Sequence, residues 1–401
     1  MNVRILPSMA QGIVNAPPSK SMAHRALICG ALSEKSLINN LAYSADIEAT
    51  LSCLSSLGAD IERNGSSVKI GGLDLMNVKD GTVLYCNESG STLRFMIPLC
   101  LLTGKKITLT GAKRLFERPL SVYESICREQ GILFEQNDNS LTLCGTIQSG
   151  SYRVRGDVSS QFITGLLYAL PLLDGISILE VTEPFESSSY VDLTLSALNS
   201  FGIRITRNGN RFVIMGGQKY RKCEYTVEGD CSNAAFLDAL SFLGGDVKVN
   251  GISEKTLQGD RVYKDYFEKI ARNENDIDLS DCPDLAPILF AVAAAKGGAG
   301  FVGTARLRIK ESDRANAMKE ELAKFGVCVD VCENSVTVRK SALLPPNVPL
   351  NSHNDHRIVM SLAVLCSLTG GVIENAEAVA KSFPDFFSVL ESLKVGIEYE
   401  A

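Results

Sequence analysis

Several short segments bring cations, hydroxyls or a carboxylate to the start of an apolar run, where chemistry on an anion could be done. Pro17-Pro-Ser19-Lys20-Ser21-Met-Ala-His24-Arg25 leads into the apolar run Ala26 to Leu32. Ser19 or Ser21 is placed to cap a helix there. Basic residues in a first helical turn oppose the macrodipole, so Lys20 and Arg25 call for an anion beside the free backbone N–H groups. In Asn87-Glu-Ser-Gly90-Ser91-Thr92-Leu-Arg94, Gly90 lets a ligand approach the backbone, the two hydroxyls can donate, and Arg94 supplies charge. Val158-Ser159-Ser160-Gln161 offers three neutral side chains suited to hydroxyl and phosphate recognition. Ser187 and Tyr190 repeat that arrangement before another helical run.

The most charged segment, Arg306-Leu-Arg308-Ile-Lys310-Glu311-Ser312-Asp313-Arg314, reads as the end of an alternating strand that opens a helix over 315–325. Strand-to-helix junctions are where ligands meet a sheet, and with Ser312 capping the helix, Lys310, Glu311 and Arg314 stay available to one. Asn354-Asp-His-Arg357 and Lys381-Ser-Phe-Pro-Asp385 each set a cation ahead of a helix. Cys282-Pro-Asp284 sets one carboxylate before the apolar stretch 288–295. Burial there would raise its pKa and suit it to taking a proton from a hydroxyl. Taken singly, each segment also reads as an ordinary helix cap or a solvated charge. The chain contains no GxxxxGK[ST], no GxGxxG that follows a strand and opens a helix, and no GxSxG elbow, so any phosphate must be held by Arg and Lys, and a serine nucleophile is not expected.

The elements that position these segments recur. A helix ending at glycine, a short strand, a polar turn and a second strand appear at Gly58, Gly131, Gly202 and Gly326, with the second strand beginning ten positions later at Val68, Leu141, Phe212 and Val336. Glycine is the residue that takes the left-handed position after a helix, and the polar turn suits a hairpin. The intervals between these glycines are 73, 71 and 124 residues, so a degenerate copy is expected near 270–277. A sixth helix-to-strand junction is expected at Leu390-Glu-Ser-Leu-Lys-Val-Gly396. Six such units exceed one core, and three plus three is the natural partition. The polar stretch 218–228 is where the chain would change domain.

Length and composition set further bounds. The 401 residues are 45% hydrophobic and carry 40 Lys+Arg against 46 Asp+Glu, a net charge of −6. That balance argues against nucleic acid or an anionic membrane as partner. The longest apolar stretch ends at Ala295 and falls far short of the roughly 18 residues of a spanning helix. Twelve scattered cysteines without CxxC pairs read as reduced thiols, and three histidines make no multi-histidine metal centre. The expectation is a cytoplasmic monomer acting on small molecules, with neither metal nor cofactor.

The order of these motifs resembles the 5-enolpyruvylshikimate-3-phosphate synthase family. It is carried by Pro18-Ser-Lys20-Ser21 with Arg25, the Gly90 turn, Phe116-Glu-Arg118-Pro, Val158 to Gln161, Ser187 with Tyr190, Pro283-Asp284, Lys310 to Arg314, Asn354 to Arg357 and Ala380-Lys381-Ser-Phe-Pro-Asp-Phe. The resemblance implies an α/β fold of two domains, each with three copies of a β-α-β-α-β-β unit, of inverse α/β barrel type and joined by a two-stranded hinge. Residues 1–19 with 229–401 would form one domain and 20–228 the other. It implies transfer of the enolpyruvyl group of phosphoenolpyruvate to the 5-hydroxyl of shikimate-3-phosphate. Lys20, Ser21, Arg25, Ser159, Ser160, Gln161, Ser187, Asp284 and Lys310 would hold shikimate-3-phosphate. Lys20, Gly90, Arg118, Gln161, Arg314, Arg357 and Lys381 would hold phosphoenolpyruvate. Asp284 and Glu311 would move protons, with Lys20 assisting. Gly90 is the small residue the family associates with glyphosate binding, which implies sensitivity. The sister family acting on UDP-N-acetylglucosamine uses a loop cysteine, which 113–119 lacks; a non-enzymatic repeat scaffold would not gather cations at helix starts.

Overall fold

A computed structural model describes residues 1–400. The chain divides into two compact units, 1–17 with 229–401 and 18–228, so Pro18 and Ser19 fall in the second rather than the first. Each unit has its own buried apolar cluster.

Within 18–228 a complete repeat runs Thr82–Tyr85, Gly90–Cys100, Ile107–Thr110, Ser121–Glu129, Leu133–Gln136, Ser140–Cys144. Its first two strands pair in parallel, with Thr82 opposite Ile107, and its last strand pairs antiparallel to the second, with Ile107 opposite Leu143. The repeat that follows, from Ser151–Arg155 to Arg211–Met215, has the same strand order. The remaining sheet of this unit takes its parallel edge strand, Glu224–Thr226, from the far end of the segment, where Tyr225 pairs with Ile38. In the other unit Asn2–Leu6 lies between Gly371–Glu374 and Gly396–Glu400, antiparallel to both.

The first helix of each repeat is apolar on nearly every side and sits in the core, as such a pattern requires. Lys20–Ala31, Gly90–Cys100, Ser160–Ala169, Cys231–Phe242, Ala286–Lys296 and His356–Thr369 are these inner helices. The second helices are amphipathic: Tyr263–Ala271 buries only Tyr263, Phe267 and Ile270, one stripe at i, i+4, i+7. The glycines after them take left-handed φ values of 106° at Gly58, 67° at Gly131, 83° at Gly202 and 77° at Gly326.

Three expectations change. The degenerate copy near 270 has its helix but no hairpin; Ile277–Asp278 pairs with Ala299–Val302 and belongs to the next repeat. Its sheet therefore has two strands, Gln11–Asn15 parallel to Asp246–Asn250. At the sixth junction the left-handed residue is Lys394, with φ 69°, and Gly396 begins the strand instead. Arg306 does not end a strand: Ala299–Val302 stops earlier and Ala305–Ile309 is a 3-10 turn. The α/β architecture expected is present: small open sheets packed around inner helices, none of them closed into a barrel among the described residues.

Candidate active site

In residues 18–228 the motifs at Lys20, Gly90 and Ser159 to Gln161 fall at the N-termini of the three inner helices. Ser19 is the N-cap residue of Lys20–Ala31, but its side chain makes no capping bond. Lys20 Nζ lies 2.7 Å from Asp46 Oδ2, with both side chains largely buried. Arg25 is 3% exposed. Its guanidinium donates to Thr194 Oγ1 at 2.9 Å, to the Ser21 carbonyl at 2.6 Å and to the Tyr190 carbonyl at 2.8 Å. Tyr190 thus meets Arg25 through its backbone.

Ser89 caps the next inner helix, accepting from Thr92 N at 3.2 Å. At Gly90 a Cβ would stand 2.6 Å from Arg118 Nη1 and 2.9 Å from Nη2. Glycine is needed there to let the Arg118 guanidinium lie against the helix start. Arg94 donates to Gln161 Oε1 at 2.7 Å and to the Pro119 carbonyl at 3.0 Å, with its guanidinium over the Phe162 ring. Gln161 in turn donates to Ser91 Oγ at 2.9 Å, and Ser159 Oγ accepts from Gln161 N, capping the helix that Ser160 opens. Arg94 therefore orients Gln161, tying two helix starts together. Ser187 stands at the cap of Ser188–Ser200 in a left-handed conformation.

A buried hydrogen-bond chain, which the sequence did not reveal, links these helices from His24 Nδ1 to Thr50 Oγ1 at 2.8 Å, to Thr92 Oγ1 at 2.7 Å and to Ser89 Oγ at 2.7 Å. Burial, then the charges of Lys20 and Arg25, hold His24 well below its ordinary pKa, so the ring is neutral.

In the other unit the motifs form one ionic cluster. Asp284 sits in a 3-10 turn just before Ala286–Lys296. Its Oδ1 is 3.1 Å from Lys310 Nζ and 2.8 Å from Arg314 Nη1, and its Oδ2 is 3.1 Å from Arg357 Nη2. Arg314, with a side chain 1% exposed, also reaches Asp355 Oδ2 at 2.9 Å and Glu311 Oε2 at 2.7 Å. Asp355 caps His356–Thr369 by accepting from Arg357 N at 3.0 Å. Ser312 donates to Asp355 Oδ2 at 3.0 Å rather than capping; Asp313 is the cap of Arg314–Lys324. Lys381 Nζ donates to the Asn354 carbonyl at 2.5 Å. Arg306 is turned away to the Ser280 carbonyl.

The electrostatics reverse one expectation. Burial does act to raise the Asp284 carboxyl, but Arg357, Lys310 and Arg314 together outweigh it and hold the group well below the usual carboxylate range. Burial pushes Lys310 down, against the pull of Asp284. Three cations from positions 26, 30 and 73 residues away meet at Asp284, a count no local pattern contains. Asp260, buried and bonded to Ser232, is the opposite case: burial, then the Asp284 charge, push it up to about 6. Asp46, Asp260 and Asp355 were not singled out by sequence reasoning; Asp355 alone carried a signal, lying inside a chosen motif.

Glu320, Glu321 and His353 bring possible ligand atoms within 4.8 Å of one another, the one such group of three or more among the described residues. Lys324 Nζ already lies 3.0 and 2.8 Å from the two Glu321 oxygens, which does not suit a metal ion.

A family model described as EPSP synthase (3-phosphoshikimate 1-carboxyvinyltransferase) matches residues 6–390. The 3-phosphoshikimate 1-carboxyvinyltransferases of Clostridium kluyveri and Clostridium novyi are 44% and 40% identical to the chain, each match covering 98% of this chain and 97% of the relative. The EPSP synthase of Acinetobacter baumannii superposes with a TM-score of 0.79 over 99% of this chain and 100% of that one, at 23% identity, a likeness of fold. With the family model spanning nearly the whole chain and both relatives matched almost end to end, this chain belongs to the EPSP synthase family.

Proposed function

We propose that the chain transfers the enolpyruvyl group of phosphoenolpyruvate to the 5-hydroxyl of shikimate-3-phosphate, releasing phosphate, as a step of aromatic biosynthesis. The observation that carries this reading is Asp284, a carboxylate at an inner-helix start, contacted by Lys310, Arg314 and Arg357. Both substrates carry a carboxylate and a phosphate, and bringing them together requires several charge-assisted contacts at about 1.5–3 kcal/mol each.

Lys20, Ser21, Arg25, Ser159, Ser160, Gln161, Ser187 and Lys310 are assigned to shikimate-3-phosphate. Lys20, Gly90, Arg118, Gln161, Arg314, Arg357 and Lys381 are assigned to phosphoenolpyruvate. Asp284 takes the proton of the 5-hydroxyl as that oxygen bonds to C2 of the enol, and Glu311 gives a proton to the methylene carbon, with Lys20 assisting. The tetrahedral intermediate then loses a proton from the new methyl group as the C2–O bond to phosphate breaks. No metal or cofactor takes part in this scheme.

The cations explain how Asp284 becomes a base. While they face it, its pKa is depressed and it is a poor proton acceptor. Substrate anions that draw Lys310, Arg314 and Arg357 toward themselves weaken that hold, and burial then dominates and raises the pKa. The base is thus armed by binding. A monomer in a reducing cytoplasm completes the reading; the twelve free cysteines fit such a compartment.

Shikimate-3-phosphate-dependent release of phosphate from phosphoenolpyruvate tests the assignment. Asp284→Asn and Glu311→Gln should each lower turnover by on the order of 10²–10⁴. Full turnover in either variant, or no release by the unaltered chain, would overturn it.

A further inference from the structure

Glu321 takes no part in that scheme, yet it is among the most deeply buried acids of its unit, at 1% exposure. It stands two turns along the helix Arg314–Lys324. Its Oε2 accepts from Asn351 N at 2.8 Å and its Oε1 from His353 Nε2 at 3.0 Å, while Lys324 Nζ bridges both oxygens. A carboxylate held this way only accepts, so His353 Nε2 must carry its hydrogen toward Glu321. These bonds keep the acid ionised: burial acts to raise it, but His353, Lys324 and the Asn351 amide hold it below the ordinary carboxylate range.

The loop gripped by Glu321 has an uncommon backbone. His353 and Asn354 are consecutive left-handed residues, with φ 48° and 51°. Side chains disfavour that region, and a pair in sequence persists only where surrounding contacts over-determine it. Asn351 Oδ1 accepts from His353 N at 2.7 Å and Ser352 Oγ from Asn354 N at 3.2 Å. The turn directs the Asn354 carbonyl to Lys381 and brings Asp355 onto Arg314 and Ser312. One helix therefore holds the loop at two places, through Arg314 at its start and Glu321 further on.

We infer that Glu321 is a positioning residue that locks the loop 351–355 in this left-handed turn and so fixes Arg314 and Lys381 for phosphoenolpyruvate. The functional part rests on the transferase assignment; the lock itself does not.

Glu321→Gln in the full chain tests it. The amide is nearly isosteric, but its NH2 must face one of the Asn351, His353 or Lys324 donors, so the grip fails without a cavity. Amide hydrogen exchange at Asn351 and His353 should speed up by about tenfold or more, the equivalent of losing one hydrogen bond of about 1.4 kcal/mol. The KM for phosphoenolpyruvate should rise by on the order of 10²-fold, as for a displaced positioning group, with the KM for shikimate-3-phosphate unchanged. Lys324→Met, which leaves the Asn351 and His353 contacts in place, should lower Tm without moving either KM. Unchanged exchange at Asn351 and His353 overturns the lock. Faster exchange with an unchanged KM, or an equal rise in both KM values, overturns the positioning role. Should Glu321→Gln not fold, His353→Ala removes only a partly exposed imidazole and is read the same way with smaller changes. A chain releasing no phosphate sinks the transferase assignment, and the exchange measurement still decides the lock.

Discussion

The two units both gather cations near helix starts and surround them differently. In 18–228, Arg25 meets one hydroxyl and two carbonyls, and Arg94 an amide oxygen and a carbonyl. Lys20, at the start of the first inner helix, has the Asp46 carboxylate within hydrogen-bond reach. In the other unit Lys310, Arg314 and Arg357 converge on Asp284, and Arg314 also holds Glu311 and Asp355. The neutral oxygens around Arg25 and Arg94 leave more of the positive charge at these sites than the carboxylates around Arg314 do. If both sets bind the proposed substrates, the Arg25 and Arg94 set can meet an anion as it stands, while the other must exchange internal ion pairs for external ones.

The largest expected effect breaks that comparison at its charges. Arg314→Met leaves Asp355 buried without its guanidinium and should cost about 3–5 kcal/mol in urea unfolding. Arg94→Met, which strands the Gln161 and Pro119 oxygens, should cost about 1.5–3 kcal/mol. Equal losses would end the distinction.

Next, Gly90→Ala probes 18–228 alone. A methyl 2.6 Å from Arg118 Nη1 must push the guanidinium aside. The KM for phosphoenolpyruvate should rise about tenfold, the equivalent of about 1.4 kcal/mol, with stability little changed.

Acid should separate the units by sign. His24 stays neutral in the fold well below 6.5, so the unfolded chain binds the extra proton and 18–228 loses stability as pH falls below that value. Asp260 is pushed up to about 6 from 3.8, so its unit gains stability as pH falls from about 6 toward 3.8. Asp284, held below the ordinary 3.8, contributes fully above that value and loses its contribution only on further acidification. Hydrogen exchange followed from about pH 7 to about pH 5 should show protection falling in the inner helices of 18–228 and not in the other unit. His24→Asn should flatten the fall.

The smallest effect is a cap. Ser89→Ala, removing the bond from Thr92 N, should lower stability by about 1 kcal/mol in thermal or urea unfolding, less than either arginine change.

The repeat was legible because it rests on local chemistry: a left-handed residue after a helix is most often glycine, and four glycines announced it. Lys394 escaped because a lysine can take that conformation when the strand behind it is fixed from elsewhere. The missing hairpin near 270 escaped because the spacing counted helices, while strand membership is decided by pairing. The site motifs were legible as helix starts. Their partners were not, since Asp46 and Asp355 meet Lys20 and Arg314 across long sequence separations, and the depressed Asp284 is a sum over such partners.

The strand order also has a consequence for how the chain is made. Everything needed for 18–228, including the edge strand Glu224–Thr226, is present once residue 228 has been synthesised, so this unit can fold on its own schedule. Asn2–Leu6, made long before, finds its neighbours only when Gly371–Glu374 and Gly396–Glu400 appear. During synthesis that strand trails as an unpaired edge, and nascent chains arrested after residue 228 should show protease-resistant 18–228 attached to a protease-sensitive leading segment.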